Sequence, residues 1–224
     1  VGAAPVQNIG AYGVDLSFFL RFCDVFCRKT KRHLRLFAED CQFAYRDSIF
    51  KSSCQGQYII LSVCFCLSKV PKLQYAYQRL NQYLHRDNAT KSITSRMIFD
   101  AVCSIRKSRL PCVKSVGTVG SFFVNPIVSQ ATFLQLRSQC AVDFDYYALR
   151  DGRYKLFAGN LLRLLGWRGY CFQGFSLCSI NPIVMRHQGG GNHDDLVAFV
   201  RVLQDSVFRA FRIKLTLEPE FVAG

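Results

Sequence analysis

Between Ser92 and Leu110 the apolar residues Ile98, Ala101, Val102 and Ile105 recur at helical spacing. Arg96, Arg106 and Lys107 take the opposite face. Pro111 stops this helix, because proline offers no N–H and its ring clashes with the preceding turn. The next stretch, Gly117-Thr-Val-Gly-Ser-Phe-Phe-Val-Asn-Pro126, is too rich in glycine, β-branched and aromatic residues to resume it. A second strong helix is predicted from Asn192 or His193 to Phe211. Its first turn carries Asp194 and Asp195, and Leu196, Phe199, Val200, Leu203 and Val207 line its apolar face. Two such helices with strand-like segments between them restrict the chain to an α+β class.

The remaining segments are read by the same rules. Phe18–Arg28 and Leu34–Phe37 read as strands joined by the basic turn Lys29-Thr-Lys-Arg32, and Tyr58–Leu67 as a strand of ten apolar or small residues. Val1–Asp15, with Gly2, Gly10, Gly13 and Pro5, reads as backbone held close to a ligand rather than a regular element. Pro71–Asn88 is expected to be a tyrosine-rich loop. Thr132–Ala141 is expected to be a short helix, followed by an irregular segment to Gly152. Lys155–Gly169 reads as a helix, Tyr170–Met185 as a strand pair and Ile213–Leu217 as a last strand.

Composition bounds the function. With 50% hydrophobic and 20% charged residues, a chain of 224 residues is globular and can bury a sizeable core. Its longest apolar run is too short to span a bilayer, and no charged-then-apolar leader is recognisable. The first residue is Val1 rather than Met, so the chain is expected to be a fragment or a processed product. Eleven cysteines are scattered without a disulfide framework, and none stands at zinc-finger spacing from His33, His85, His187 or His193. Buried free thiols in a reducing compartment, and no metal site, are the expectation. The net charge of +14 favours a polyanionic partner such as RNA, or a merely solvated basic surface; both readings stay open.

Two residues stand out chemically. Ser121 lies between Gly120 and the aromatic pair Phe122 and Phe123, as a reactive hydroxyl shielded from water would; locally it also reads as a glycine turn entering a buried strand. Arg46, among Phe43, Tyr45, Ile49 and Phe50, needs a carboxylate partner or an anionic ligand, since an unpaired buried guanidinium is very costly.

Five stretches together resemble one family. They are Pro5-Val-Gln-Asn-Ile-Gly-Ala-Tyr-Gly13, Tyr45-Arg-Asp-Ser-Ile-Phe-Lys51, Gly120-Ser-Phe-Phe-Val-Asn-Pro126, Lys155-Leu-Phe-Ala-Gly159 and Leu217-Glu-Pro-Glu220. Their order and spacing resemble the flavoenzymes called UDP-N-acetylenolpyruvoylglucosamine reductase, the MurB family. The resemblance implies a MurB-like α+β fold: residues 1–110 as the remnant of the second flavin-binding lobe and 111–224 as the substrate-binding domain. It implies FAD reduced by NADPH, hydride delivery to an enolpyruvyl double bond, and a UDP-sugar substrate. Carried over by position, Ser121 is the proton donor, and Arg46 and Glu220 organise the enolate. Asn8, Gly10, Ala11 and Gly13 contact the cofactor. Tyr45, Tyr75, Arg109, Asn125 and Asn181 contact the substrate.

The departures are also specific. Val124 replaces a family lysine, Cys178 a histidine, Asn181 a glutamine and Asn160 a tryptophan; the first flavin lobe has no counterpart in the chain. Two functions therefore follow as expectations. One is a reductase, in the cytoplasm if bacterial. The alternative is an inactive MurB-fold structural subunit of an RNA-containing assembly, such as a mitochondrial ribosome. A stand-alone nucleotide-sugar binding module fits less well.

Overall fold

The computed structural model describes residues 2–86, 92–139 and 144–221. It divides into two compact units, Val1–Ile105 and Arg106–Gly224.

The first unit opens with a single helical turn, α1 (Ala3–Val6), and a two-stranded hairpin, β1 (Gly10–Ala11) and β2 (Val14–Asp15). Tyr12 and Gly13 close that hairpin with φ of 55° and 85°. Left-handed pairs of this kind suit a two-residue turn, whose twist matches its flanking strands. The segment expected to be irregular thus holds three short elements. An antiparallel sheet follows, in the order β4 (Arg32–Phe37), β3 (Leu20–Cys27), β5 (Tyr58–Phe65). Along β3 the side chains alternate. Cys23, Val25 and Cys27 are buried, and Cys23 and Val25 join Leu16, Leu20, Cys41, Ile49 and Phe50 in one core. The basic turn sits at the β3–β4 tip, as the sequence indicates.

The tyrosine-rich segment holds a helix, α2 (Gln78–His85), where a loop is expected. Leu80 and Leu84, one turn apart, are buried against Ala101 and Ile105 of α3 (Ser95–Arg109). Two apolar residues make too short a stripe to be read as a helix, and α2 exists because α3 covers that stripe. Residue 88, the end of the expected loop, lies outside the described residues.

In the second unit the main sheet runs β10 (Cys171–Phe172), β11 (Phe175–Leu177), β12 (Val184–His187), β6 (Gly117–Ser121), antiparallel throughout. A smaller sheet orders β7 (Ile127–Val128), β9 (Tyr154–Leu156) and β8 (Tyr146–Ala148), and α4 (Gln130–Gln139) follows β7 in the chain. Residue 141, the end of the expected short helix, also lies outside the described residues. The predicted Lys155–Gly169 helix is corrected: Lys155 and Leu156 belong to β9, and α5 (Ala158–Leu164) begins only afterwards. Cross-strand pairing of Lys155 with both Ile127 and Tyr147 takes those residues from the helix. The irregular 144–152 segment supplies β8. The expected terminal strand at 213–217 is extended, with Ile213 and Leu215 buried, but it forms only a single bridge, Leu217 to Phe123.

The long helix α6 (His193–Phe211) matches its reading. Asn192 and Asp195 form a reciprocal capping box, each accepting from the other's backbone N–H at 3.0 Å. Phe199, Val200, Leu203, Val207 and Phe211 bury its apolar face, and Phe172 stacks on Phe199. The described cysteines are free thiols. Among the described residues no helix is long and apolar enough to cross a membrane, and no group of three His, Cys, Asp or Glu side chains is placed to hold a metal ion.

Because the box satisfies two N-terminal N–H groups of α6, Asn192→Ala should destabilise the protein by about 1 kcal/mol. Urea unfolding followed by circular dichroism measures this directly.

Candidate functional site

In the first unit two of the five motifs are knitted together. Asn8 is 3% exposed and has a φ of 41°. Its amide nitrogen donates to Ala44 O at 2.9 Å, and its amide oxygen accepts from Ser17 N at 3.0 Å. Ser48 Oγ, also buried, donates to Val6 O at 2.9 Å, and Lys51 Nζ donates to Gln7 Oε1 at 2.7 Å and to Arg46 O at 3.1 Å. The 6–10 and 44–51 segments therefore hold one another through buried polar groups, each with its partner.

Arg46 sits at the tip of what this clamp holds. Ala44 and Asp47 exchange both backbone hydrogen bonds, at 3.0 and 3.2 Å, leaving Tyr45 and Arg46 as the two turn residues. Arg46 has a φ of 56°, an uncommon conformation for a residue with a side chain, costing about 1 kcal/mol that the surrounding bonds must offset. Its guanidinium donates to Gly10 O and, at 3.4 Å, to Asn8 O; it also lies 3.6 Å from the Asp15 carboxylate. Its side chain is only 18% exposed. The carboxylate that the sequence demanded is met within this unit by Asp15, a residue that sequence reading did not single out. Gly10 is required for the same reason: a Cβ there would stand 1.6 Å from Asp15 Oδ1.

Among the residues assigned to a cofactor, Asn8 and Gly10 thus serve the Arg46 clamp. Ala11 and Gly13 are exposed at the β1–β2 turn, and a Cβ built on Gly13 would meet nothing within 4 Å. Tyr45 lies beside its neighbour, with the Arg46 guanidinium 5.3 Å from its ring. Tyr75 packs with the α2–α3 cluster near His85.

In the second unit Ser121 ends β6, paired with Val184 of β12. Gly120 before it has a φ of 81°, and its N–H is held by Thr118 Oγ at 3.1 Å. Phe122 N donates to Ile183 O at 2.8 Å, and Val184 N donates to Asn181 O at 2.9 Å. On the other side Glu218 N donates to Phe122 O at 3.0 Å and Val124 N to Thr216 O at 2.9 Å. The backbone accordingly gathers Ser121, the turn carrying Asn181 and the segment leading to Glu220 at one end of the sheet. Phe122 and Phe123 are buried in the core beneath, and Phe221 reaches both Phe122 and His193. Asn125 Oδ1 accepts from Ala158 N at 3.0 Å and so anchors the start of α5. Arg109 ends α3 beside Arg106 and Lys107, where cations favour a helix C-terminus.

The substituted positions have structural roles of their own. Cys178 is buried in the core, and Asn160 donates to Asp145 at 2.9 Å while its buried amide oxygen lacks a partner among the described residues. The Gly189–Gly191 loop before α6 is no phosphate cradle, because the capping box and Asp194 occupy that helix terminus with acidic groups.

Asn8→Ala removes both side-chain bonds and strands Ser17 N, while Ala44 O keeps Asp47 N; a loss of about 1–3 kcal/mol is expected. Amide exchange at Ser17 should accelerate in the variant, read by hydrogen exchange and mass spectrometry.

With this geometry described, the chain can be set beside known proteins. A family model described as UDP-N-acetylenolpyruvoylglucosamine reductase, C-terminal domain, matches residues 111–222. Proteins of that name from Bordetella pertussis and Burkholderia multivorans are each 37% identical, over 222 and 221 residues. The matches cover 99% and 98% of this chain but 62% and 63% of those proteins, so the chain spans less than two thirds of their length. The crystal structure of the Thermus caldophilus UDP-N-acetylenolpyruvylglucosamine reductase (MurB) superposes with a TM-score of 0.59 at 18% identity, covering 98% of this chain and 59% of that one. That likeness shows the fold. The family match over half the chain shows its membership: this chain belongs to the UDP-N-acetylenolpyruvoylglucosamine reductase family.

Proposed function

We propose that this chain is a portion of a flavin-dependent reductase that converts UDP-N-acetylglucosamine enolpyruvate to UDP-N-acetylmuramate. The observation that carries this reading is the meeting of Ser121, the Asn181 turn and the Glu220 segment at one end of the main sheet. The clamped Arg46 supports it from the other unit.

FAD contacts are assigned in this chain to Asn8, Gly10, Ala11 and Gly13. The open surface at Ala11 and Gly13 suits one wall of a flavin site, while Asn8 and Gly10 fix the arginine behind it. When bound, the flavin supplies hydride received from NADPH. The residues of this chain do the rest. Arg46, held by two carbonyls and Asp15, offers a fixed positive charge where an enolate carboxylate develops. Ser121 gives the proton, a role open to a poorly acidic hydroxyl only where a cation and excluded water stabilise the oxygen left behind. By the family resemblance, Glu220 is the acidic residue that organises the enolate. Tyr45, Tyr75, Arg109, Asn125 and Asn181 bind the nucleotide-sugar, Arg109 by its charge toward the diphosphate. The free thiols suit a reducing compartment. The organellar ribosome alternative gains no support from the relatives found.

In the full-length gene product, purified with bound flavin, Ser121→Ala should leave NADPH reduction of the flavin intact and slow product formation at least about 100-fold. Stopped-flow absorbance separates the two half-reactions. Loss of both together would remove Ser121 from the proton-donor role.

A further inference from the structure

Most of the net charge of +14 has no use in the reaction above, and the β3–β4 hairpin carries a dense share of it. From Arg21 to Arg35 the chain carries Arg21, Arg28, Lys29, Lys31, Arg32 and Arg35 against a single acid, Asp24. All six cations are exposed, along β3, the hairpin tip and β4.

The outward face of the same sheet is aromatic. Phe22, Asp24 and Phe26 of β3 point away from the core and stand directly opposite Phe37, Arg35 and His33 of β4. Phe22 meets Phe37 edge to face, Phe26 meets His33 likewise, and the Arg35 guanidinium lies over the Phe22 ring at 3.8 Å. Phe37 is 44% exposed, and Ile59 of β5 extends the face at 50%. The one acid within Arg21–Arg35 is neutralised in place, and beyond β4 Asp40 accepts from the Phe37 N–H at 2.8 Å. Asp24 accepts from Arg35 Nε at 2.8 Å and Ser62 Oγ at 2.9 Å, which holds its carboxyl below the usual carboxylate range and keeps it paired.

A partner for this face must offer flat, weakly polar rings and negative charge at their edge. We propose that the outer face of the β4–β3–β5 sheet binds single-stranded RNA, with bases on Phe26, Phe37 and the Arg35–Phe22 stack and phosphates along the hairpin-tip cations. Exposed aromatic rings and a guanidinium plane accept bases of any sequence, and a basic border tracks the backbone. The Arg35–Asp24–Ser62 group at the centre presents a donor and an acceptor together, which suits a 2′-hydroxyl and favours RNA over DNA. A duplex buries its base faces and cannot use the platform.

The test is fluorescence anisotropy of this chain with a labelled ten-nucleotide uridine RNA, its deoxy counterpart and an RNA duplex, at 50 and 200 mM salt. Single-stranded RNA should bind most tightly, with affinity falling steeply as salt rises. Phe26→Ala and Phe37→Ala should each weaken binding about tenfold while melting temperatures stay near the parent's. Lys29→Gln with Lys31→Gln and Arg32→Gln should weaken it and flatten the salt dependence; Arg201→Gln with Arg209→Gln on α6 should do neither. Duplex binding equal to single-strand binding, or aromatic variants that bind like the parent, would reduce the contact to bulk charge and overturn the proposal. Equal binding of the deoxy oligomer would overturn the choice of RNA, and no binding at 50 mM salt would overturn the whole. None of these outcomes touches the reductase reading, which is decided by flavin and product.

Discussion

The buried amide of Asn8 is the interaction on which the first unit's Arg46 clamp rests. One end of it holds Ala44, the other holds Ser17, and its backbone carbonyl receives Arg46. Without it three stretches of chain distant in sequence would have no common reference point, and a guanidinium in an unfavourable backbone conformation would lose part of its support. Low dielectric makes the arrangement demanding, since every polar group so enclosed must find its partner or destabilise the whole. Here Ser48, Lys51 and Gln7 find theirs in the same network. The result is a cation whose position is set before any ligand arrives.

The second unit gathers its segments through strand pairing. Its site segments meet because β6 lies against β12 and the residues just after it, Phe122–Val124, bond the Thr216–Glu218 segment. Strand register brings Ser121 and the Glu220 segment to the same end of the sheet, with Thr118 Oγ holding Gly120 N and Gln204 Nε2 holding Leu215 O. The two large rings that follow Ser121 turn inward and lock that register by burial.

Much of this was legible beforehand where a local pattern repeated often enough. The helices α3 and α6 each show several turns of apolar periodicity, and α6 also announces its start with Asn192 and Asp195. The β3–β4 hairpin is marked by alternation and a basic turn. The failures lie where the pattern was short. Leu80 and Leu84 alone could not announce α2, and Lys155 and Leu156 looked helical because the strands that claim them, β7 and β8, are remote or weakly patterned. Asp15 escaped notice for a similar reason: nothing near it in sequence says that Arg46 will fold back onto it. Asn8 and Gly10 also hold the Arg46 clamp, a role that only long-range contacts disclose.

The sequence by itself determined the fold class, the two long helices, the basic hairpin and, through five short motifs, the family; each depends on residues close enough in the chain to act through local geometry. The tertiary structure alone decided which polar groups satisfy one another, that Arg46 is anchored by Asp15 and two carbonyls, and that the outward face of the first sheet is aromatic under a basic border. Those outcomes depend on strand register and on burial between distant segments, and a single residue of slip would turn every one of those rings into the core.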